Sequence, residues 1–452
     1  MQDLRTMKKK YSMLAVAIPA IVAVILLSAT VPQSPVATES IKSTPNQLST
    51  DLIKQVDDVG GLVPLFSGAF AQVPLDQLDS MKAQGRKIVE VNLVAQAADL
   101  PIMGGGKYHA LTFNGQVPGP TIRVTQGDII KVTLTVPSTE ATAHSVDLHA
   151  SQISATNFGA VKPGQSETFA FIAETPGQFK YHCEGVNVAS MDQHVFSGMY
   201  GLTIVDPLNG YTPFVTQKTD TVNGQVVVKH LRYEPDAKEF VLEFNQLYLT
   251  ADGSFDETAM FLHNTTQTTI NGFAFGYVPN ADINKLIKGD PNKNIFVAQP
   301  WNSPDLKQYQ SHPLFVDTGV HYRLFVENEG QMPVFFHIVG EQLDRVVQGN
   351  RIQAQGTETW LIGGSQGATV DVVFDNPGVY VAVNHDYAAI FTGAGAVFVA
   401  GDPFNLGYKP GDMPNPSDAV PPLGKNSIPQ KEVLHCLCTD ERAAELAKTI
   451  GA

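Results

Sequence analysis

Cysteine is scarce in this chain of 452 residues: only Cys183, Cys436 and Cys438 are present. No disulfide framework can form around the isolated Cys183, which is therefore either a small buried residue or a metal ligand. Positive charge is in deficit too, with 30 Lys and Arg against 44 Asp and Glu and a net charge of -14. That balance argues against nucleic acid as a partner and fits an acidic soluble surface, one compatible with a basic protein partner. The N-terminal apolar run from Met13 to Val31, broken by Pro19 and Ser28, follows Lys8, Lys9 and Lys10. It reads as a membrane-targeting segment, and the preceding lysines place the remainder outside the cytoplasm. With no small-x-small cleavage site in view, a retained anchor is expected over a cleaved leader.

The length accommodates two domains with appendages. Five segments are expected: an anchor over 1–31, a tether over 32–86, domains over 87–207 and 208–402, and an extension over 403–452. The tether opens on QSPVATESIKSTPNQLST, polar and proline-containing as a spacer should be. From Lys87 the texture becomes alternating strands separated by Gly, Pro and Asn, as in KIVEVNLVA, YHALTFNG, TIRVTQGDIIKVTLTV and SETFAFIA. A second series runs through FVLEFNQLYL, HYRLFVENEG, TVDVVFD and AVFVAGDP. Both predict an all-β chain with strands at sandwich spacing. GQFKYHCEGV in the first half is echoed by GVYVAVNHDY in the second, each after a Pro-Gly turn, and SGMYGLTIVDP by GAGAVFVAGDP. The pattern predicts a duplicated sandwich whose second copy lacks the cysteine and methionine but keeps a histidine, His385. The tail carries His435-Cys436-Leu437-Cys438 and a short helix over TDERAAELAKTI capped by Thr439; that tail is read as a flexible end, with copper binding or mixed disulfides as the alternative.

Chemistry concentrates in HCEGVNVASMDQHVFSGM. Cys183, His194 and Met199, with a second imidazole, make the donor set of a blue-copper electron-transfer site. His182 adjoins Cys183, so in an extended segment the two side chains point to opposite faces and address two different metals. The same parity, applied to HSVDLHA as one regular strand, puts His144 with Cys183, His194 and Met199 and leaves Asp147, His149 and His182 on the outer face. Two histidines are an incomplete copper site, for which His385 is the natural third ligand, and His337 in PVFFHIVG offers a further imidazole; an all-imidazole site suits Cu or Zn, with an open position for substrate. Asp147 beside an open metal position is better suited to handling protons than to ligation.

HSVDLH, YHC followed by His and SGM, FFHIVG, VNH and LTFNGQVPGP occur in the order found in copper-containing nitrite reductases, which the chain resembles from about residue 87 to 402. That resemblance implies two Greek-key cupredoxin β-sandwiches and a homotrimer. It implies type 1 copper on His144, Cys183, His194 and Met199. It also implies type 2 copper on His149, His182 and a neighbouring subunit's His385, with Asp147 and His337 as the catalytic proton-relay pair. One-electron reduction of nitrite to nitric oxide and water, consuming two protons, would follow, with a cupredoxin or cytochrome c type protein as electron donor. Val339 stands where the family carries an isoleucine at the substrate pocket, and the loop EGVNVASMDQ is longer and less proline-rich than the family pattern.

Two readings compete. A laccase-like oxidase would need paired His-x-His motifs, and no two histidines here are separated by one residue; His109, His230, His263, His312 and His321 are scattered. A non-catalytic extracytoplasmic copper protein for electron transfer or copper storage would leave His149, His182, His337, His385 and Asp147 without a role. Hydroxylamine, as another small nitrogen compound, is the alternative substrate within the enzyme reading.

Overall fold

Alternation builds the first sandwich. In Ile88–Pro101 the side chains of Val89, Val91, Leu93 and Ala95 are buried while Glu90 and Asn92 face out, the period of two that lets one sheet face a core. The computed structural model describes residues 72–102, 106–151, 160–185, 190–278, 313–349 and 351–401. The expected anchor, the tether up to residue 71, and the C-terminal extension with its cysteines and short helix lie outside the described residues. No helix among the described residues is long and apolar enough to cross a membrane.

The first eight strands are β1 (Ile88–Pro101), β2 (Lys107–Phe113), β3 (Ile122–Thr125), β4 (Ile129–Val136), β5 (Asp147–Leu148), β6 (Gln165–Ile172), β7 (Gly177–His182) and β8 (Tyr200–Asp206). They form two sheets, ordered β2-β1-β4-β6 and β3-β8-β7-β5, so the chain crosses repeatedly between layers. Between them lies a core that includes Val91, Ile130, Val132, Leu134, Phe171 and Tyr181, and Cys183 and Met199 belong to it. Helix α1 (Leu78–Ala83) falls within the segment expected to be tether, yet Val73 and Leu78 pack on Ile129 and Ala170. Apolar residues spaced too irregularly for a periodic signal thus dock residues 73–83 onto the first sandwich.

An antiparallel ribbon, β9 (Phe214–Val222) with β10 (Gln225–Tyr233), leads into the second half. There follow β11 (Lys238–Leu247), β12 (Gln267–Ile270), β13 (Leu314–Val316), β14 (His321–Asn328), β15 (Val334–Val339), β16 (Leu343–Gln348), β17 (Arg351–Thr357), β18 (Thr359–Ile362), β19 (Gln366–Val373), β20 (Gly378–Asn384) and β21 (Gly395–Ala400). Their sheets are ordered β12-β11-β14-β19-β16-β17 and β13-β21-β20-β15-β18. The duplication is visible in the pairing: β1 runs parallel to β4 as β11 does to β14, and β3 runs parallel to β8 as β13 does to β21.

The sheet β11-β14-β19 is buried on both faces. Leu242, Leu324, Val326 and Val370 face its own core, and Val241 and Phe325 meet Leu202 and Ile204 of β8. The rest of that junction is charged. Arg123 is fully buried and pairs with Asp206 at 2.9 Å and Glu239 at 2.5 Å, and Arg323 reaches Glu239 at 2.8 Å. Breaking such a buried pair by deleting one partner typically costs about 3–5 kcal/mol, so the junction ties β3 and β8 to β11 and β14 of the second sandwich.

Candidate metal centre

Donor groups collect at one end of β7. Cys183 follows the strand directly and is fully buried, as are His144 and Met199, while His194 is 4% exposed. His194 sits in α2 (Met191–Phe196), between β7 and β8. The Nδ1 atoms of His144 and His194 lie 3.2 Å apart; Cys183 Sγ is 3.3 Å from His194 Nδ1 and 4.0 Å from His144 Nδ1. Met199 closes the loop through its backbone, accepting from Cys183 N–H at 3.1 Å and donating to His194 C=O at 3.1 Å.

This set has the chemistry of a metal site. Edges of 3.2–4.0 Å suit donors about 2.0–2.3 Å from a shared centre. His144 Nε2 is buried without a hydrogen-bond partner, which leaves the ring held by its Nδ1 side. Burial, reinforced by His194, pushes His144 down to about 4, and burial also lowers His194; both imidazoles are neutral and available as ligands. Burial raises the Cys183 thiol, against hydrogen bonds from Ser145 and Gly185. The backbone N–H groups of Ser145 and Gly185 donate to Sγ at 3.3 and 3.2 Å, an arrangement that favours a thiolate once a cation balances it. A soft thiolate, two imidazoles and a buried thioether fit copper.

On the other side of the same peptide, His182 Nε2 and His149 Nε2 face each other at 3.1 Å. Asp147 Oδ2 is 3.7 Å from His149 Nε2 and 3.9 Å from His182 Nε2. His182 directs Nδ1 to the Cys183 carbonyl at 3.1 Å, so Nε2 is the free end. Burial, then Lys180, lowers His182 to about 3 and His149 to about 4. Burial, then Glu184, raises Asp147 to about 6. Neutral imidazoles beside a carboxyl that takes up a proton at about pH 6 suit metal binding with proton transfer.

The regular strand assumed for HSVDLHA does not form. Only Asp147–Leu148 is strand; His144 makes an isolated bridge with Val161, and His149 opens a 3-10 turn through Ser151. The clusters nonetheless separate as His144, Cys183 and His194 on one hand and Asp147, His149 and His182 on the other. Asp147 is paired with His182 across β5 and β7, so pairing register rather than unbroken parity groups them.

His337 and His385 occupy the second sandwich, with ring centroids 4.8 Å apart. His337 lies on β15 and donates Nδ1–H to the Glu358 carbonyl at 2.7 Å. Neither joins the cluster of Asp147, His149 and His182 within the chain. Their surroundings are apolar and open: Phe335, Val339, Leu361 and Tyr387 are all exposed. His321 is a buried structural histidine, 2.7 Å from Asp371.

Some participants escaped the sequence reading. Ser145 and Gly185 act through backbone N–H groups, which carry no residue-type signal. Lys180 is buried beside Glu327 and Glu329; the same-parity glutamates in HYRLFVENEG were the available sign of a sheet covered on both faces.

Residues 95–210 match the family model described as multicopper oxidase. A copper-containing nitrite reductase of Rhizobium sullae is 30% identical over 345 residues, covering 73% of this chain and 80% of that protein. That of Alcaligenes faecalis is 25% identical over 326 residues, covering 70% and 76%. Among solved structures, the copper nitrite reductase of Nitrosomonas europaea superposes with a TM-score of 0.54 at 28% identity, covering 70% of this chain and 95% of that one.

Proposed function

The chain belongs to the copper-containing nitrite reductases, and we propose that its two donor clusters divide that enzyme's work between electron acceptance and nitrite chemistry. His144, Cys183, His194 and Met199 would hold a type 1 copper, and His149 and His182 a type 2 copper completed by His385 of the partner subunit. One observation carries this reading: a single peptide, His182–Cys183, sends Nε2 into one cluster and Sγ into the other. Covalent continuity gives electrons a short path between the two donor sets.

Copper bound at His149 and His182 supplies Lewis acidity and one-electron exchange toward nitrite. Burial disfavours the charge of Asp147 and raises it to about 6, so it is protonated below that pH and only in part above it, and Oδ2 faces the Nε2 atoms beside which nitrite would lie. From there it protonates a nitrite oxygen as the N–O bond breaks. His337 lies beside His385, with ring centroids 4.8 Å apart, so it would reach the pocket together with that ligand from the neighbouring subunit; anchored through Nδ1 to Glu358, it would carry the second proton on Nε2. The exposed apolar side chains around His337 and His385 support burial of this face against a second copy, in keeping with a homotrimer. The lysine-flanked apolar segment at residues 8–31 supports an anchored, extracytoplasmic location, where a small cupredoxin or cytochrome c would deliver electrons. The division into an anchor, a tether, two cupredoxin domains over 87–207 and 208–402 and an extension belongs to the same proposal.

Metal analysis with spectroscopy on purified protein tests it, followed by nitrite titration. Two coppers per chain are expected, one of them blue, with nitrite altering only the signal of the other. A single copper, or nitrite altering the blue band, would overturn the division of labour. Hydroxylamine in place of nitrite separates the alternative substrate.

A further inference from the structure

Outside both clusters, His263 Nδ1 and Met332 Sδ lie 2.8 Å apart. His263 is exposed and Met332 half-buried. They belong to different segments: His263 follows α3 (Glu257–Phe261), and Met332 lies in the connection from β14 to β15. The tertiary fold, not local chain geometry, brings an imidazole and a thioether face to face.

The backbone that carries each donor is held by hydrogen bonds. Hydrogen bonds from His263 N–H to Met260 C=O at 3.1 Å and from Asn264 N–H to Ala259 C=O at 2.8 Å set the turn. Met332 donates its N–H to Gln246 Oε1 at 3.2 Å, and its carbonyl accepts from Asn328 Nδ2 at 2.8 Å. His263 has φ of +55°, a left-handed conformation that favours glycine.

The pair also adjoins the interior of the chain. Gln331, next to Met332, donates to Tyr248 Oη and to the Met260 carbonyl, each at 3.0 Å. Tyr248 packs edge-on against Phe196 at 5.4 Å, and Phe196 is two residues from His194 on α2. Continuous packing therefore links the surface pair to the helix carrying a proposed type 1 ligand.

Thioether sulfur selects soft monovalent copper, and imidazole accommodates it. We propose that His263 and Met332 form a surface Cu(I) site, a third copper locus distinct from the two clusters at β7. Two protein donors leave the ion open to exchange, as capture from solution requires. The site requires no nitrite turnover, and its test is independent of the reading above.

The test is anaerobic titration of the full-length, copper-loaded protein with Cu(I) in competition with bicinchoninate. Wild type should take up one equivalent more than His263→Gly or Met332→Leu. Uptake by the remaining thiols is common to all three proteins and cancels in the difference. His263→Gly suits the left-handed backbone, and an unchanged blue band with an equal or higher thermal midpoint shows that it is folded. Equal uptake in wild type and both variants overturns the site. Loss only in His263→Gly, with Met332→Leu like wild type, overturns the thioether's part and with it the selectivity for Cu(I).

Discussion

Where the first sandwich carries Cys183, the second carries Asn384, and the two side chains accept the same pair of backbone hydrogen bonds. Cys183 Sγ accepts from Ser145 and Gly185 at 3.3 and 3.2 Å; Asn384 Oδ1 accepts from Phe335 and Asp386 at 2.9 and 3.0 Å. The frame around them is repeated. Cys183 N–H bonds Met199 C=O as Asn384 N–H bonds Ala394 C=O, and Met199 N–H reaches His194 C=O as Ala394 N–H reaches Ala389 C=O. Asp147 faces His182 across the sheet as His337 faces Val383. The counterparts of His144, Cys183, His194 and Met199 are therefore Val334, Asn384, Ala389 and Ala394, all buried. The backbone frame at the end of the last two strands is repeated, and the metal set is a choice of three side chains on their connection, Cys183, His194 and Met199, with His144 from the facing segment. A neutral amide can close the scaffold where no cation balances a thiolate.

Removing the thiolate should have the largest effect. Cys183→Ser keeps an oxygen acceptor for Ser145 and Gly185, so the protein should fold like its second half does, without the blue band and without donor-driven turnover. The visible spectrum and copper content check this; a persisting blue band would exclude Cys183 as ligand. Next comes Asp147→Asn, expected to retain both coppers and lose about 10²–10⁴-fold in nitrite turnover. Because burial and Glu184 raise Asp147 to about 6, its protonated fraction falls as pH rises through that value. Wild-type turnover should decline over the same range, and the variant should lack that limb in a pH profile. Unchanged turnover with full metal would remove Asp147 from the mechanism.

Asn384→Ala tests the other half of the comparison. It leaves the N–H groups of Phe335 and Asp386 without their acceptor, each costing about 1–3 kcal/mol if it stays dry. A lower denaturation midpoint with an intact blue band is expected, measured by chemical unfolding. If stability is unchanged, the amide is not the structural substitute for the thiolate, and the correspondence is one of position alone.

Much of this was legible in sequence because strands with one covered face write their period plainly, as β1 does with Val89, Val91, Leu93 and Ala95. The duplication was legible for the same reason: GQFKYHCEGV and GVYVAVNHDY both follow a Pro-Gly turn and became β7 and β20. Three features were not. The break of HSVDLHA into a bridge, two strand residues and a turn depends on what His144 and His149 meet across the sheets, and no local propensity encodes it. The docking of Val73 and Leu78 rests on partners far along the chain. The sequence shows the cysteine missing from the second copy but not the part played by Asn384 in its place, since the value of its oxygen lies in two backbone groups that every residue possesses.

The smallest expected effect concerns how the two sandwiches hold each other. Lys180 of β7 is buried with Glu327 and Glu329 from the second sandwich, its Nζ 3.6 Å from Glu329 Oε2, and Glu243 is buried in the same region. One cation among three carboxyls leaves burial dominant: Glu243 and Glu327 are raised well above the usual range, and Glu329 is raised to about 7 despite Lys180. A folded pKa above the unfolded value of about 4.3 means the native state binds more protons in between. The stabilisation is present in full below pH about 4 and is lost as pH rises through about 7. Glu329→Gln, which cannot ionise, should flatten that fall by on the order of 1–3 kcal/mol between pH 5 and 8, read from unfolding curves at each pH. An equally steep fall in the variant would assign the pH dependence to groups elsewhere and leave Arg123, Arg323 and Glu239 as the main polar tie between the sandwiches.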